Sequence, residues 1–341
     1  MNNFTRNRLD FSSRMLHIGT EFNAKVGDFW SAVDPRQDLA DEIDDNNPYA
    51  IGGKRSFVPA LGKIVWELPE ALALQIPFSA RIYQLDDGRR IGYVRVPHYD
   101  HDEGAAEEFA KLIAHFENET EALVIDQVNN PGGSMFHMYR ILSCLTDRPL
   151  TLPKHQLSLN QDDAAMASRT IELAEAGEAV PSDERPSAEL VAYYRFVLSE
   201  IEAGRGRVTN PTYLFGVTEI PPNQNHYTKR IFVLINELDF SAAEFFAAIL
   251  QDNKRATLFG RNTAGAGGCV RRITDLDGKQ FGIDYITLTW TIAWRTNGQP
   301  IEDKGVQPDV SYSITEEDIR SVPMYSGYRQ ALLTTMGTKI R

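Results

Sequence analysis

The chain reads as an α/β protein built on a mostly parallel sheet, and three features of its pattern point there. Short apolar runs, Ala122–Asp126 and Arg230–Ile235, have the length of buried strands. Segments with helical apolar spacing alternate with them, as Phe109, Leu112, Ile113 and Phe116 do. A glycine-rich turn, Asn129-Asn130-Pro131-Gly132-Gly133, closes the first run.

Taken in order, residues 1–56 are polar and acidic with weak periodicity, and Asp34–Asn47 reads as loop. From Phe57 the pattern changes. Lys63–Glu67 and Ser79–Leu85 read as strands, Asp86-Asp87-Gly88 as a turn, and Arg90–Val96 as the alternating partner of a hairpin. A helix through Phe109–Phe116 precedes the Ala122–Asp126 strand, and a second helix should run over about Met135–Leu145. Arg230–Ile235 then feeds a helix over Ala242–Asp252, and Leu258-Phe259-Gly260 ends a third strand. Between them, 158–206 is an insertion rich in Ala, Glu and Leu, expected as two helices parted by Pro181–Pro186. The expected organisation is an N-terminal segment 1–56, a core 57–315 carrying that insertion, and a tail 316–341.

The 341 residues are 42% hydrophobic, enough for a substantial core. A net charge of -12 from scattered acids repels phosphate, so nucleic acid is not an expected partner. Cys144 and Cys269 stand in buried-looking segments and indicate neither a disulfide framework nor a zinc site. No apolar run approaches bilayer-spanning length, and Met1–Leu16 carries no stretch of signal-peptide type, so a soluble chain without an export signal of its own is expected.

Candidate chemistry concentrates where Phe232–Ile235 ends, a brief turn follows, and Ser241 opens an apolar helix. A serine there projects from the sheet edge beside the unpaired amides of the first helical turn, which can hold developing negative charge. The plainer alternative is that Ser241 caps the helix, with Glu244 completing a capping box, and on this window alone the cap is the simpler reading. Gly132 and Gly133 shift the balance, because bare glycine amides let a ligand approach closely; Gly132, Gly133 and Ala242 are therefore the candidate oxyanion donors. An ordinary strand-to-helix turn would also use Asn-Pro-Gly-Gly.

A third set of segments makes the combination specific: Leu258–Gly268 with Gly265-Ala266-Gly267-Gly268, and Gly298–Asp309 with Lys304-Gly305-Val306-Gln307-Pro308-Asp309. In this order the motifs resemble the tail-specific, or C-terminal processing, serine peptidases and the related tricorn core proteases, over about residues 57–315. Ile91–Tyr99, Ala122–Gly133 and Leu150–His155 add a narrower resemblance to the chlamydial protease-like activity factors. The resemblance implies a crotonase-like or ClpP-like core of strand-helix units, hydrolysis of polypeptide substrates through an acyl-enzyme on Ser241, no metal or organic cofactor, and a homodimer.

Two departures bear on the general base. Where the tail-specific branch has a lysine between glycines, this chain has Ala266, so a Ser-Lys dyad is excluded at that place; Lys254 and Lys279 read as a solvated helix end and a turn residue. The tricorn and chlamydial branches use Ser, His and Glu, and the resemblance carries the acid onto Glu302, where a solvated turn carboxylate is the plainer reading. It also implies a histidine upstream of Ile91, ahead of a PDZ-like module. Only His17 lies there, so 1–56 reads as a remnant of such a module in a chain that starts partway through a longer protein.

His98, at a strand end on the glycine-loop edge, is the internal candidate, set against an exposed polar turn. His115 reads as an exposed helix position, and His101, His137, His155 and His226 have no better claim; His98 and His101 with Asp100 and Asp102 lack the remote ligands a metal needs. Two other readings stay open. One is a protease relative that grips peptides without cutting them, and the other is a crotonase-like acyl-CoA enzyme, which would leave Ser241 and Glu302 without a shared purpose.

Overall fold

The computed structural model describes residues 45, 47–100, 103–177, 181, 185–273 and 285–339. In chain order the elements are β1 (Lys63–Glu67), α1 (Glu70–Ala73), β2 (Ser79–Gln84), β3 (Arg90–Arg95), α2 (Glu103–Glu119), β4 (Ala122–Asp126), α3 (Met135–Ser143), β5 (Leu150–Thr151), β6 (Lys154–Leu157), α4 (Gln161–Glu175) and α5 (Ala188–Glu202). They continue with β7 (Glu219–Ile220), β8 (Arg230–Ile235), α6 (Ala242–Asp252), β9 (Ala256–Gly260), β10 (Val270–Ile273), β11 (Ile286–Thr289), β12 (Thr291–Trp294), β13 (Val310–Ser311), α7 (Glu316–Arg320) and α8 (Ser326–Lys339). The described residues divide into two units, one within 45–150, 221–267 and 303–339, the other within 151–220 and 268–302.

In the first unit a seven-stranded sheet runs in the order β1-β2-β3-β4-β8-β9-β13. The β1-β2-β3 edge is antiparallel, and every pairing from β3 through to β13 is parallel, giving the mixed α/β fold with a mostly parallel sheet that the alternation predicts. The hairpin pairs Ser79 with Arg95 and Gln84 with Arg90, as the Asp86-Asp87-Gly88 turn requires. All five residues of β4 are buried, because a parallel strand is covered on both faces.

One face is formed by Ile91, Tyr93, Ala122, Val124, Phe232, Leu234 and Phe259, packed with Tyr328, Leu332 and Met336 of α8. The stretch 316–341, set apart as a tail by its sequence, therefore helps close the core. Its spacing explains this, since residues four apart share one helix face. On the other face Gly92 sits under Phe116 of α2, and Tyr99 packs its ring 5.4 Å from Phe246 of α6.

Where β3 meets β4 lies a buried polar knot. The Arg95 guanidinium, 1% exposed, donates to the Val128 carbonyl at 2.6 Å and the Gly53 carbonyl at 2.8 Å, and pairs with the fully buried Asp126 carboxylate at 3.3 Å. Tyr93 donates its hydroxyl to the same carboxylate. A charge removed from water survives only when its donors are matched in this way.

The second unit holds the two helices expected of the insertion. Asn160 caps α4 through the Asp162 and Asp163 amides in a capping box, and Ser187 caps α5. Two antiparallel pairs join them, β6 with β12 and β10 with β11. Arg271 braces this unit, gripping Asp163 with both terminal nitrogens at 2.8 and 2.5 Å while lying 4.0 Å over the Trp290 ring. His155 of β6 is 1% exposed and shares a hydrogen bond of 3.2 Å between its Nδ1 and Thr291 Oγ1.

Burial pushes His155 down to about 3. A folded value below that of the free imidazole, about 6.5, means that the fold favours the neutral ring. This contribution is complete above pH ~6.5 and is lost as pH falls toward the folded value, at about 1.4 kcal/mol per pH unit. Urea denaturation between pH 8 and 4 should therefore show a steeper loss of stability in the wild type than in His155→Gln. Parallel curves would contradict a neutral buried ring.

Candidate active site

Parallel neighbours β4 and β8 end side by side, with Asp126 opposite Leu234, so the loops that follow them leave from the same sheet edge. The first loop runs from Gln127 to Gly133 and the second from Asn236 to Ser241. Both leave regular pairing, with Asn129, Gly132, Gly133 and Ser241 all at positive φ, so their amides draw on side-chain and cross-loop acceptors as well as local ones.

Asp239 joins the two. Its Oδ1 accepts the Asn130 amide at 3.1 Å; its Oδ2 accepts the Asn236 amide at 3.2 Å and the Gln127 side-chain N–H at 3.1 Å. Asn130 answers through its carbonyl, which accepts the Phe240 amide at 3.0 Å. Its side chain is engaged at both ends, Oδ1 accepting Gly132 N–H at 2.8 Å and Nδ2 donating to the Val96 carbonyl at 3.0 Å. Complete burial pushes the Asp239 carboxyl well above the usual carboxylate range, opposed by the three N–H donors and by Arg95, which favour the anion.

Ser241 follows at φ 52 and ψ -119, a conformation that costs an L-residue on the order of 1–3 kcal/mol. The serine is the N-cap of α6 by position, but its side chain makes no capping bond. Nor does Glu244 close a capping box. Its fully buried carboxylate instead reaches a third loop, accepting Thr263 Oγ1 at 2.6 Å, Gly265 N–H at 2.8 Å and Ala266 N–H at 2.6 Å. The carbonyl of Ala266 then accepts the Ser241 amide at 3.2 Å. Glu244 thus holds the loop that holds the serine, and the plain capping reading of this pair is overturned.

The closing motif braces the same loop. Thr263 and Val306 exchange bonds, and Asp303 N–H donates to the Gly265 carbonyl at 2.9 Å. At φ +66, with the Thr263 carbonyl 2.4 Å from where a Cβ would stand, position 305 accepts only glycine. Asp309 accepts Leu258 N–H in the middle of β9 at 2.8 Å and takes Gln251 Nε2 at 2.9 Å.

The oxyanion candidates separate cleanly. A Cβ on Gly132 would lie 2.8 Å from the Ser241 Cβ and 2.9 Å from the Ala242 amide nitrogen, so the glycine turn is pressed directly against the serine. Gly132 cannot serve as a donor, however, because its N–H is bonded to Asn130 Oδ1. Among the described residues, the amides of Gly133 and Ala242 have no hydrogen-bond acceptor. Ala242 is the first residue of α6, where the helix leaves its amides unpaired. These two fit an oxyanion; the expectation for Gly132 is corrected.

His98 does stand on this edge. Tyr99 beside it bridges Gly133 in parallel, its amide donating to the Gly132 carbonyl at 2.8 Å. The His98 Nδ1 accepts the Asp100 amide at 3.3 Å, which leaves the neutral ring's proton on Nε2. No described residue of its unit hydrogen-bonds the Ser241 hydroxyl.

Glu302, in the other unit, accepts the Ala293 amide with both oxygens at 2.9 and 3.0 Å. The remaining histidines are occupied structurally. His115 is half-buried against the Trp66 ring at 4.7 Å rather than exposed; His137 lies buried in α3; His226 Nδ1 donates to the Asn223 carbonyl at 2.8 Å. His17, His101, Asp102 and Lys279 lie outside the described residues. Lys254 is exposed two residues past the end of α6, a helix about 16 Å long that begins beside Ser241. Among the described residues no group of three or more His, Cys, Asp or Glu could hold a metal ion, and no helix is long and apolar enough to cross a membrane.

The structure thus brings a serine with a strained backbone, at a strand-to-helix turn, against a glycine turn, with two unengaged amides in the adjoining residues. Peptidase family S41 matches residues 90–312. The chain belongs to that family. Family S41 membership supports a serine-type peptidase. A protein of Chlamydia trachomatis serovar D is 38% identical over 312 residues, covering 83% of this chain and 50% of the relative. The tail-specific protease of Haemophilus influenzae is 22% identical over 319 residues, covering 88% of this chain and 36% of that protein. Mature CPAF complexed with lactacystin superposes with a TM-score of 0.75 at 37% identity, covering 86% of this chain and 60% of that one. The chain spans about half the length of its curated chlamydial relatives.

Replacing Glu244 by Gln puts an NH2 group against a buried N–H donor and should destabilise the fold by about 1–3 kcal/mol. Because the Ala266 carbonyl is displaced with its loop, the variant should also react more slowly at Ser241 under conditions where it remains folded. Chemical denaturation and fluorophosphonate labelling rates measure the two effects. Wild-type values in both would remove Glu244 from the support of the serine turn.

Proposed function

We propose that this chain hydrolyses peptide bonds as a serine endopeptidase, through an acyl-enzyme on Ser241. The observation that carries the reading is the pair of unengaged amides, Gly133 and Ala242, beside a serine held in a strained turn. Ser241 Oγ attacks the carbonyl carbon of an extended polypeptide and loses its proton to an imidazole. The carbonyl oxygen becomes an anion stabilised by the two amides, which have no other acceptor among the described residues to give up. Collapse expels the amine, which takes the imidazolium proton, and water then releases the acyl group by the reverse sequence.

The Ser-His-Glu assignment, with Glu302 as the acid, is supported by the family resemblance and by Ala266 standing where the tail-specific branch has lysine. His98 is the described candidate for the base on this edge. To take a proton at Nε2 its ring must carry hydrogen at Nδ1, so the Asp100 amide contact has to be exchanged for an acceptor.

That same contact favours a second reading, a relative that grips polypeptides without cutting them. Fluorophosphonate separates the two, since only a serine activated by a base reacts quickly. Wild-type chain should be labelled at Ser241, as mapped by peptide mass, and should cleave a denatured protein. Ser241→Ala should lose labelling and fall by roughly 10³-fold or more in cleavage, at unchanged thermal stability. Labelling no faster than that of Ser241→Ala would favour the gripping module, and full cleavage by the variant would exclude Ser241.

A further inference from the structure

The oxyanion amide and the nucleophile come from different loops, so their separation must be fixed by something that touches both. Asn236 does so through its side chain, which bonds the Asn129 amide and side-chain oxygen, and Asp239 does so closest to the glycines. Its carboxylate accepts the Asn130 amide from one loop and the Asn236 amide from the other, with the Gln127 side-chain N–H between. Its own main chain continues the network, the amide donating to the Asn236 carbonyl at 3.1 Å and the carbonyl accepting Ala264 N–H at 3.1 Å. Through Asn130 the connection reaches the Gly132 N–H, locked by Asn130 Oδ1, one peptide before the unit that carries the Gly133 N–H, whose carbonyl end is held in turn by the Tyr99 amide at 2.8 Å. Two residues along the chain stands Ser241.

We propose that Asp239 is a positioning residue of the catalytic site, setting the Gly133 amide at the correct place and angle for the anion formed at Ser241. The proposal rests on the serine-peptidase reading, but its geometric content does not require turnover. Three donors converge on two oxygens, and only a carboxylate accepts at both without presenting a hydrogen. Asparagine has nearly the same shape. It can keep its oxygen toward Asn236 and Gln127, where two donors meet, and must then turn its NH2 group against the Asn130 amide. The link that breaks is the one to the Asn130 amide, nearest the glycines, whereas the serine turn keeps its bonds to Ala266 and Asn236.

The test compares wild type with Asp239→Asn in the full chain, by steady-state kinetics on a peptide substrate and by crystal structures of both. Because an oxyanion donor acts chiefly in the transition state, kcat should fall by at least about tenfold while KM changes less than about twofold. The structure of the variant should show the Asn130–Gly133 segment displaced from Ser241. Unchanged kcat in a folded variant would overturn the proposal, as would a segment that superposes on wild type with the Asn130 amide still bonded to residue 239. If the wild type cleaves nothing, the serine-peptidase reading fails separately and the crystal comparison alone decides the positioning role. Asp239→Ser, which leaves room for water beside the three donors, carries the same measurements if the asparagine variant does not fold.

Discussion

The site depends on a single constraint, the parallel pairing of β4 with β8 that brings their following loops to one edge. Asp126 lies opposite Leu234, and Phe232, Leu234, Ala122 and Val124 are buried on one face of that pair. A slip of one residue would turn these side chains to the opposite face, at a cost far above any loop energy. The apolar core therefore fixes where the glycine turn and the serine turn begin. From there polar groups take over, because amides that leave the strand ladder need side-chain and cross-loop acceptors.

Much of this was legible before any coordinates. The strands Ala122–Asp126 and Arg230–Ile235 and the helix Ala242–Asp252 follow from apolar length and period, and the two insertion helices from composition. The antiparallel pairs β6-β12 and β10-β11 were not, since four-residue strands carry too little pattern to separate them from loop. The α8 contribution was also missed. Tyr328, Leu332 and Met336 recur every fourth residue, the one signal that could have marked that helix as core.

At the site the misreadings have one cause, which is that tertiary partners decide what local sequence leaves degenerate. Ser241 and Glu244 have the spacing of a capping box, and only the amides of Gly265 and Ala266, more than twenty residues away, draw the carboxylate elsewhere. Adjacent glycines look equivalent in sequence, yet Asn130 folds its side chain onto the first amide and leaves the second open. Asp239 carried no signal at all. An acid in a strand-to-helix loop usually faces water, as Glu237 does here, and the role of Asp239 appears only when Asn130 and Gln127 arrive from another loop.

Buried acids as scaffolding seem at odds with a site that must hold an oxyanion, because negative charge nearby opposes negative charge forming. The arrangement meets this conflict in two ways. Asp239 and Glu244 are each surrounded by N–H or O–H donors, whose dipoles offset much of the field a bare carboxylate would project. Arg95 adds a buried positive charge that acts on Asp239 and pairs with Asp126, below the same glycine turn. An apolar residue at 239 would avoid the conflict but would leave three N–H donors unsatisfied, each worth about 1–3 kcal/mol. The acid is retained because the backbone of two loops demands an acceptor, and the arginine makes that acceptor compatible with the chemistry beside it.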